Sequence, residues 1–197
     1  TGVQGNEKGR DVVIPEIIKD AEHKMTAAVD HAREEFAAIR TGRAHPAMFS
    51  KLMVDYYGAP TPLQQLATFQ VPEARTVLIS PFDRGAMHGI EKAIRDSDLG
   101  VNPANDGNVI RLVMPQLTEE RRKEYIKVTR HKAEEARVAV RNVRRHAIEA
   151  VNKLVKDKEI SEDDARGAEK QLDAATKRHI DSVDELLKAK EAELLEV

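Results

Sequence analysis

From Thr118 to Asp157 the chain runs about forty residues without a glycine or a proline. As a helix rising ~1.5 Å per residue it is a rod of roughly 60 Å. Thr118 suits an N-cap, and Glu119 and Glu120 suit the positive end of the helix dipole. Tyr125, Val128, Ala136, Ala139, Val143, Ala147, Ala150 and Leu154 recur at helical spacing and draw one apolar stripe. A rod with one such stripe draws its stability from packing, so the rest of the chain has to cover it.

Two further stretches can do so. Pro15 to Arg40 carries Ile18, Ala21, Met25, Ala28, Ala32, Phe36 and Ile39 at alternating three and four spacing, with Pro15 suited to a first-turn position. From Ser161, which with Asp164 matches a capping box, a third helix is predicted to about Leu195. Its apolar face is Ala165, Ala168, Leu172, Ala175, Ile180, Val183, Leu187 and Leu194. Three helices with one stripe each most simply bury them against one another as a bundle. Residues 1–12 are polar and carry three glycines, which predicts a flexible leader.

Between the first and second helices the period changes. Arg40 to Pro46 breaks the helix through Gly42 and Pro46. Leu52–Tyr57, Ala67–Val71, Thr76–Ser80 and Val109–Met114 read as strands, Ala86–Ser97 as a short helix, and residues 60–66 as a turn. The expected organisation is therefore α+β. Residues 13–43 and 116–197 form an antiparallel three-helix bundle, and residues 44–115 form a small inserted domain. Two linkers join the parts, around Thr41, Gly42, His45 and Pro46 and around Pro115 and Gln116, and they are expected to act as a hinge.

Charge is segregated along the chain. Between Arg121 and Arg145 there are ten Lys/Arg and three acids, while the whole chain stands at −2. At about 100° per residue, Lys123, Arg130, Arg137, Arg141 and Arg144 fall within roughly 60° of one another, flanked by Lys127 and Arg145, and about 130° from the apolar stripe. A rigid basic stripe in a near-neutral protein is a footprint for a polyanion, and arginine's planar fork suits phosphate. The competing interpretation is a solvated face with intrahelical pairs from Glu134 to Arg137 and Arg141. Ser161–Val197 is acidic, with eleven acids against six Lys/Arg. With only 4% aromatic residues, the stripe is suited to reading RNA by shape and phosphate rather than by stacking bases.

Enzymatic motifs are absent: no P-loop, no GxSxG, no HExxH, and seven scattered histidines. No catalytic residue, metal site or cofactor is expected. There is no cysteine and no apolar run near ~18 residues, so the expectation is a cytoplasmic protein that does not enter membranes.

The motifs IRTGRAHPAM (39–48), VDYYG (54–58), PLQQLA (62–67), EKAIRDSDLGVNP (91–103), DGNVIR (106–111), PQLTEERRKE (115–124) and ARVAVRNVRRHA (136–147) resemble the ribosome recycling factor family, in order and at fitting lengths. The resemblance implies a non-enzymatic factor, expected to be a monomer. It also implies an L-shaped, tRNA-like outline in which a hinge joins the bundle to a β/α/β domain. Such factors bind post-termination ribosomes and, with elongation factor G and GTP, promote splitting into subunits. The family's arginines on large-subunit RNA map onto Arg40, Arg43, Arg130, Arg137, Arg141, Arg144 and Arg145, and the smaller domain faces elongation factor G. His45 stands where the family commonly has Asn or Ser. The alternative function is a generic RNA-binding or helical adaptor protein.

Overall fold

The computed structural model describes residues 4–196, with side chains from residue 12 onward. The protein is α+β, with four α-helices, a two-stranded sheet and a four-stranded sheet among the described residues. It divides into two compact units: one running through Ile39 and again over Lys123–Glu196, the other over Arg40–Arg122.

The first unit is a three-helix bundle of α1 (Gln4–Ala37), α3 (Glu119–Lys156, from Lys123 on) and α4 (Glu162–Leu195). Its core is layered. Ile14, Ile18 and Ala21 meet Ala147, Val151, Ala168 and Leu172; Met25 meets Val140 and Ala175; Val29, Ala32 and Phe36 meet Ala133, Ala136 and Val183. Position rises along α1 and α4 together while it falls along α3, so α3 runs antiparallel to both. The start of α4 is fixed by a capping box: Ser161 Oγ accepts from the Asp164 amide at 3.1 Å, and the Asp164 carboxylate accepts from the Ser161 amide at 3.2 Å. No helix among the described residues is long and apolar enough to cross a membrane.

Two features of this unit differ from expectation. The stretch expected as a flexible leader is helical from Gln4, and Pro15 lies inside α1 rather than in its first turn. A proline removes the hydrogen bond of its missing N–H and crowds the carbonyl four residues back, yet a helix with packed turns beyond it can continue on both sides. The buried arc of α3 also differs. Thr129, Ala133, Ala136, Val140, Ala147 and Val151 are buried, while Val128, Ala139 and Ala150 face solvent. Thr129 can be buried because its hydroxyl donates to the Tyr125 carbonyl at 2.6 Å. By helix geometry this arc is centred only about 80° from the arginines.

The second unit holds a hairpin of β1 (Met53–Tyr56) and β2 (Ala59–Pro62) and an antiparallel sheet in the order β3-β4-β6-β5. These strands are Ala67–Glu73, Thr76–Pro81, Ile110–Val113 and Ala104–Asn105 for β3, β4, β6 and β5. Helix α2 (Met87–Asp96) packs its Met87, Ile90 and Ile94 into a core with Phe49, Val54, Leu63, Val77, Ile79, Ile110 and Leu112. The 60–66 stretch, expected as a turn, holds most of β2. Its prolines are tolerated because the hairpin is only two strands wide and β2 has a free edge.

Both linkers are tied into this second unit. The Ala44 amide donates to Ala74 O and the Met114 amide to Arg75 O, each at 2.7 Å, so the same β3–β4 turn holds both. Gly42 adopts φ +79°, a conformation that favours glycine. His45 Nδ1 accepts from the Ala47 amide at 3.0 Å and caps the short turn that Pro46 opens. The unit boundaries therefore fall at Arg40 and Arg122 rather than at residues 44 and 115.

Candidate nucleic-acid interface

Seven arginines were singled out from the sequence, and the structure distributes them over both units. Arg40 and Arg43 belong to the second unit, because α1 ends at Ala37. Arg40 donates to the Asp98 carbonyl at 3.2 Å, which ties it to the segment after α2. Arg43 is exposed. Arg130, Arg137, Arg141, Arg144 and Arg145 all stand on α3 in the first unit.

The five on α3 are not equivalent. Because the buried arc is turned toward them, three lie along the border with α4 and meet its acids. Arg130 Nε donates to Glu191 Oε1 at 2.6 Å. Arg137 meets Asp184 Oδ1 through Nε at 2.8 Å and Nη2 at 2.7 Å. Arg144 Nε donates to Asp173 Oδ1 at 2.5 Å, with Glu169 4.0 Å from Nη2. In an antiparallel pair, seven residues up one helix face seven down the other, and Arg130–Glu191 and Arg137–Asp184 keep that register. The next step would bring Arg144 to Lys177, and its guanidinium reaches Asp173 instead.

Arg137 is the most enclosed. Its side chain is 19% exposed, and its third nitrogen, Nη1, donates to Glu134 Oε2 at 3.0 Å. Burial works against its charge, but hydrogen bonds to Asp184 and Glu134 and their negative charges outweigh it. The guanidinium holds its proton more tightly than an ordinary arginine. With all three nitrogens engaged, Arg137 is a clasp between α3 and α4.

Arg141 is 54% exposed, and its bond to Glu134 is long at 3.4 Å. Arg145 is exposed. Lys127 lies on the same azimuth as Arg145, five full turns away. The surface most open to a polyanion is therefore Arg141, Arg145 and Lys127, bordered by the uncommitted nitrogens of Arg130 and Arg144. Intrahelical pairing from Glu134 to Arg137 and Arg141 is present as well. The two descriptions of the stripe thus apply to different residues of it.

The α4 acids entered the sequence reading only as an excess of negative charge over Ser161–Val197. Their signal was the seven-residue interval shared by Asp184 and Glu191 with Arg130 and Arg137. A second group that sequence reasoning missed lies in the small unit. Tyr56 and Tyr57 hydroxyls both donate to Asp83 Oδ2, at 2.8 and 3.2 Å, while Gly85 N donates to Oδ1 at 2.9 Å. The Gly85 amide and the Tyr56 hydroxyl hold the Asp83 carboxyl below the usual 3.8. In return, its hydrogen bond to Tyr56 and its charge beside Tyr57 raise both phenols above 10.0. Among the described residues no group of three or more His, Cys, Asp or Glu is placed to hold a metal ion.

Comparison with known proteins gives a consistent result. Residues 32–195 match the family model described as ribosome recycling factor. The chain is 70% identical to the ribosome-recycling factor of Cutibacterium acnes over 182 residues, covering 92% of this chain and 99% of that one. It is 67% identical to that of Kocuria rhizophila, covering 93% and 99%. Among solved structures, it is similar to a solution structure of the ribosome recycling factor. There the TM-score is 0.73 at 43% identity, with 93% of this chain and 98% of that one covered. It is also similar, with a TM-score of 0.62 at 42% identity and 93% and 99% coverage, to a chain from models of the T. thermophilus ribosome recycling factor and the E. coli elongation factor G bound to the E. coli post-termination complex.

Proposed function

The chain belongs to the ribosome recycling factor family, and from that premise we propose how its residues serve the family's role. It binds ribosomes that have finished a round of translation and, with elongation factor G and GTP, promotes their splitting into subunits in the cytoplasm. The protein performs no bond-breaking chemistry of its own. It works by binding, and the GTP belongs to its partner. That partner is met through the small unit, and the chain crossings at residues 39–40 and 122–123 serve as the pivot.

The observation that carries the RNA-binding assignment is the uneven commitment of the α3 arginines. Arg141 and Arg145 present charge outward, while Arg130 and Arg144 each keep terminal nitrogens for a phosphate. These arginines meet large-subunit RNA through its backbone, with Lys127 beside them and Arg40 and Arg43 adding charge from the small unit. With Arg137 occupied by its acids, these four arginines with Lys127, Arg40 and Arg43 neutralise about seven phosphates. Log affinity for large subunits then falls against log salt with a slope of about −5 to −6.

The test is splitting of post-termination ribosomes by light scattering, with a matched elongation factor G and GTP. The parent splits ribosomes, and an Arg141→Ala/Arg145→Ala variant binds large subunits weakly and fails to split them. A variant that splits at the parent rate would remove these two residues from the interface. An inactive parent would overturn the functional reading.

A further inference from the structure

Helix α4 contributes carboxylates to the very edge on which α3 presents its arginines. Glu191 holds Arg130 and Asp173 holds Arg144, each through Nε, at 2.6 and 2.5 Å. Neither pair is sealed from water, since Arg130 is 66% exposed and Asp173 51%. Exposed pairs like these contribute little to folding, so stability alone is a weak reason for them. Their geometry has a sharper consequence. A carboxylate on Nε fixes the guanidinium plane; it leaves the terminal nitrogens of Arg130 open and, at Arg144, leaves Nη1 open while Glu169 stands 4.0 Å from Nη2. A phosphate can then approach Arg130 or Arg144 only from that remaining side, and it does so beside a fixed negative charge.

We propose that Asp173 and Glu191 are specificity-determining residues of the RNA-binding face: they orient Arg144 and Arg130 and penalise every phosphate that binds there. A flexible polyanion meeting one arginine at a time bears the full penalty with little return. A rigid folded RNA that offers several phosphates at the spacing of the ridge overcomes it, because all its contacts form together. Arg130, Arg137 and Arg144 are spaced by seven residues, about 10.5 Å along the axis. The two outer members are those with nitrogens to spare, so the matching phosphates lie about 21 Å apart. The α4 acids thereby weaken general polyanion binding more than they weaken binding to the matching surface. This inference rests on the reading of α3 as the RNA-facing helix.

The experiment compares the full-length protein with Asp173→Asn and Glu191→Gln, which keep an acceptor oxygen for the arginine and remove only the charge. Asp20→Asn serves as the control. Asp20 pairs with Lys24 on α1 and is 62% exposed, so its loss changes net charge by the same amount away from the ridge. Thermal melting by circular dichroism establishes that all four proteins are folded. Binding to poly-U RNA is measured by fluorescence anisotropy, and binding to large ribosomal subunits by co-pelleting at the same salt.

A charge about 6 Å from a bound phosphate in water is worth about a threefold change in affinity. Asp173→Asn and Glu191→Gln are therefore expected to bind poly-U about threefold tighter each, Asp20→Asn with a much smaller gain. Both seam variants gain less on large subunits than on poly-U, so discrimination falls. Seam variants that track Asp20→Asn, that bind poly-U more weakly than the parent, or that gain equally on both ligands overturn the proposal. A parent that binds poly-U but not large subunits overturns the ribosomal reading itself, and the ordering of the four proteins on poly-U is a separate result.

Discussion

Replacing Arg137 with alanine separates two roles that a count of basic residues merges. Arg137 binds Asp184 through two nitrogens at 2.7 and 2.8 Å and Glu134 through the third at 3.0 Å. Breaking a fully buried ion pair costs about 3–5 kcal/mol because a charge is stranded. An exposed pair is worth about 0.2–1 kcal/mol. Arg137 is mostly enclosed, but Asp184 and Glu134 are 50% and 55% exposed, so water takes over much of their solvation when the arginine is removed. The expected loss is therefore intermediate, about 1–2 kcal/mol. For a protein of this size it lowers Tm by roughly 2–8 °C. Removing the arginine stem adds lost packing against α4, and Arg137→Met, which keeps apolar bulk, recovers part of the loss. Affinity for large subunits changes far less than in Arg141→Ala/Arg145→Ala, because Arg137 is mostly enclosed and each of its nitrogens already meets an acid. Circular dichroism melting and co-pelleting measure the two effects side by side. An Arg137→Ala protein that melts with the parent but loses large-subunit binding as fully as the outward-facing variant would refute the assignment of Arg137 as a clasp.

Three further substitutions probe other parts of the molecule. Gly89→Ala on α2 gains about 1 kcal/mol of helix propensity, but its new Cβ would lie 2.9 Å from the Asp55 carbonyl oxygen and 3.2 Å from Val54 Cγ1. Overpacking against that backbone costs about 1–3 kcal/mol, so the urea midpoint should fall, and a stabilised variant would contradict the close approach. The Asp83 carboxyl is depressed in the fold, so its stabilisation is present above the usual carboxylate range and is lost as pH falls through the depressed value. The Tyr56 and Tyr57 phenols are raised, so theirs is present below pH 10.0 and is lost as pH rises through the raised values. Asp83→Asn should flatten both limbs in pH-dependent melting and bring the tyrosine titration at 295 nm downward; an unchanged titration would dissolve the triad. Ser161→Ala removes half of the capping box and should cost about 1 kcal/mol in chemical denaturation, whereas Ser161→Asp, which keeps an acceptor, should cost little.

The helices were legible because their signals are local. The uninterrupted run after Thr118 and the Ser161–Asp164 box depend on neighbours a few residues away, and both are present in the fold. What was not legible depended on partners distant in sequence. Residues 60–62 read as part of a turn because two of the three are prolines, yet β1 lies beside them and pairs Val54 with Thr61 and Asp55 with Pro60. A two-stranded ribbon needs each strand to satisfy only one neighbour, and proline's missing donor can face away from it. Pro15 misled in the opposite direction. It suggested a helix start, whereas the helix passes through it.

The arginine stripe shows why composition and azimuth stop short of an interface. Apolar residues occur around much of α3, so periodicity permits more than one buried arc, and only the partners choose between them. Val128 and Val138 stay exposed while Thr129 and Val140 are buried. That rotation moved the arginines from a free face to the border with α4, where acids at matching intervals hold Arg130 and Arg137 and an off-register acid holds Arg144. Sequence distance alone could have hinted at it, since 130 with 191 and 137 with 184 have equal sums, as antiparallel partners must. The test is one of register rather than of charge: antiparallel neighbours with opposite charges at equal sums form a seam, and charges left without such a partner are the ones available to bind. Applied to α3, that rule assigns Arg130 and Arg137 to the seam, leaves Lys127, Arg141 and Arg145 without such a partner, and misses Arg144, whose acid lies off register. The basic surface left open is thus defined as much by what α4 removes from the ridge as by what α3 displays.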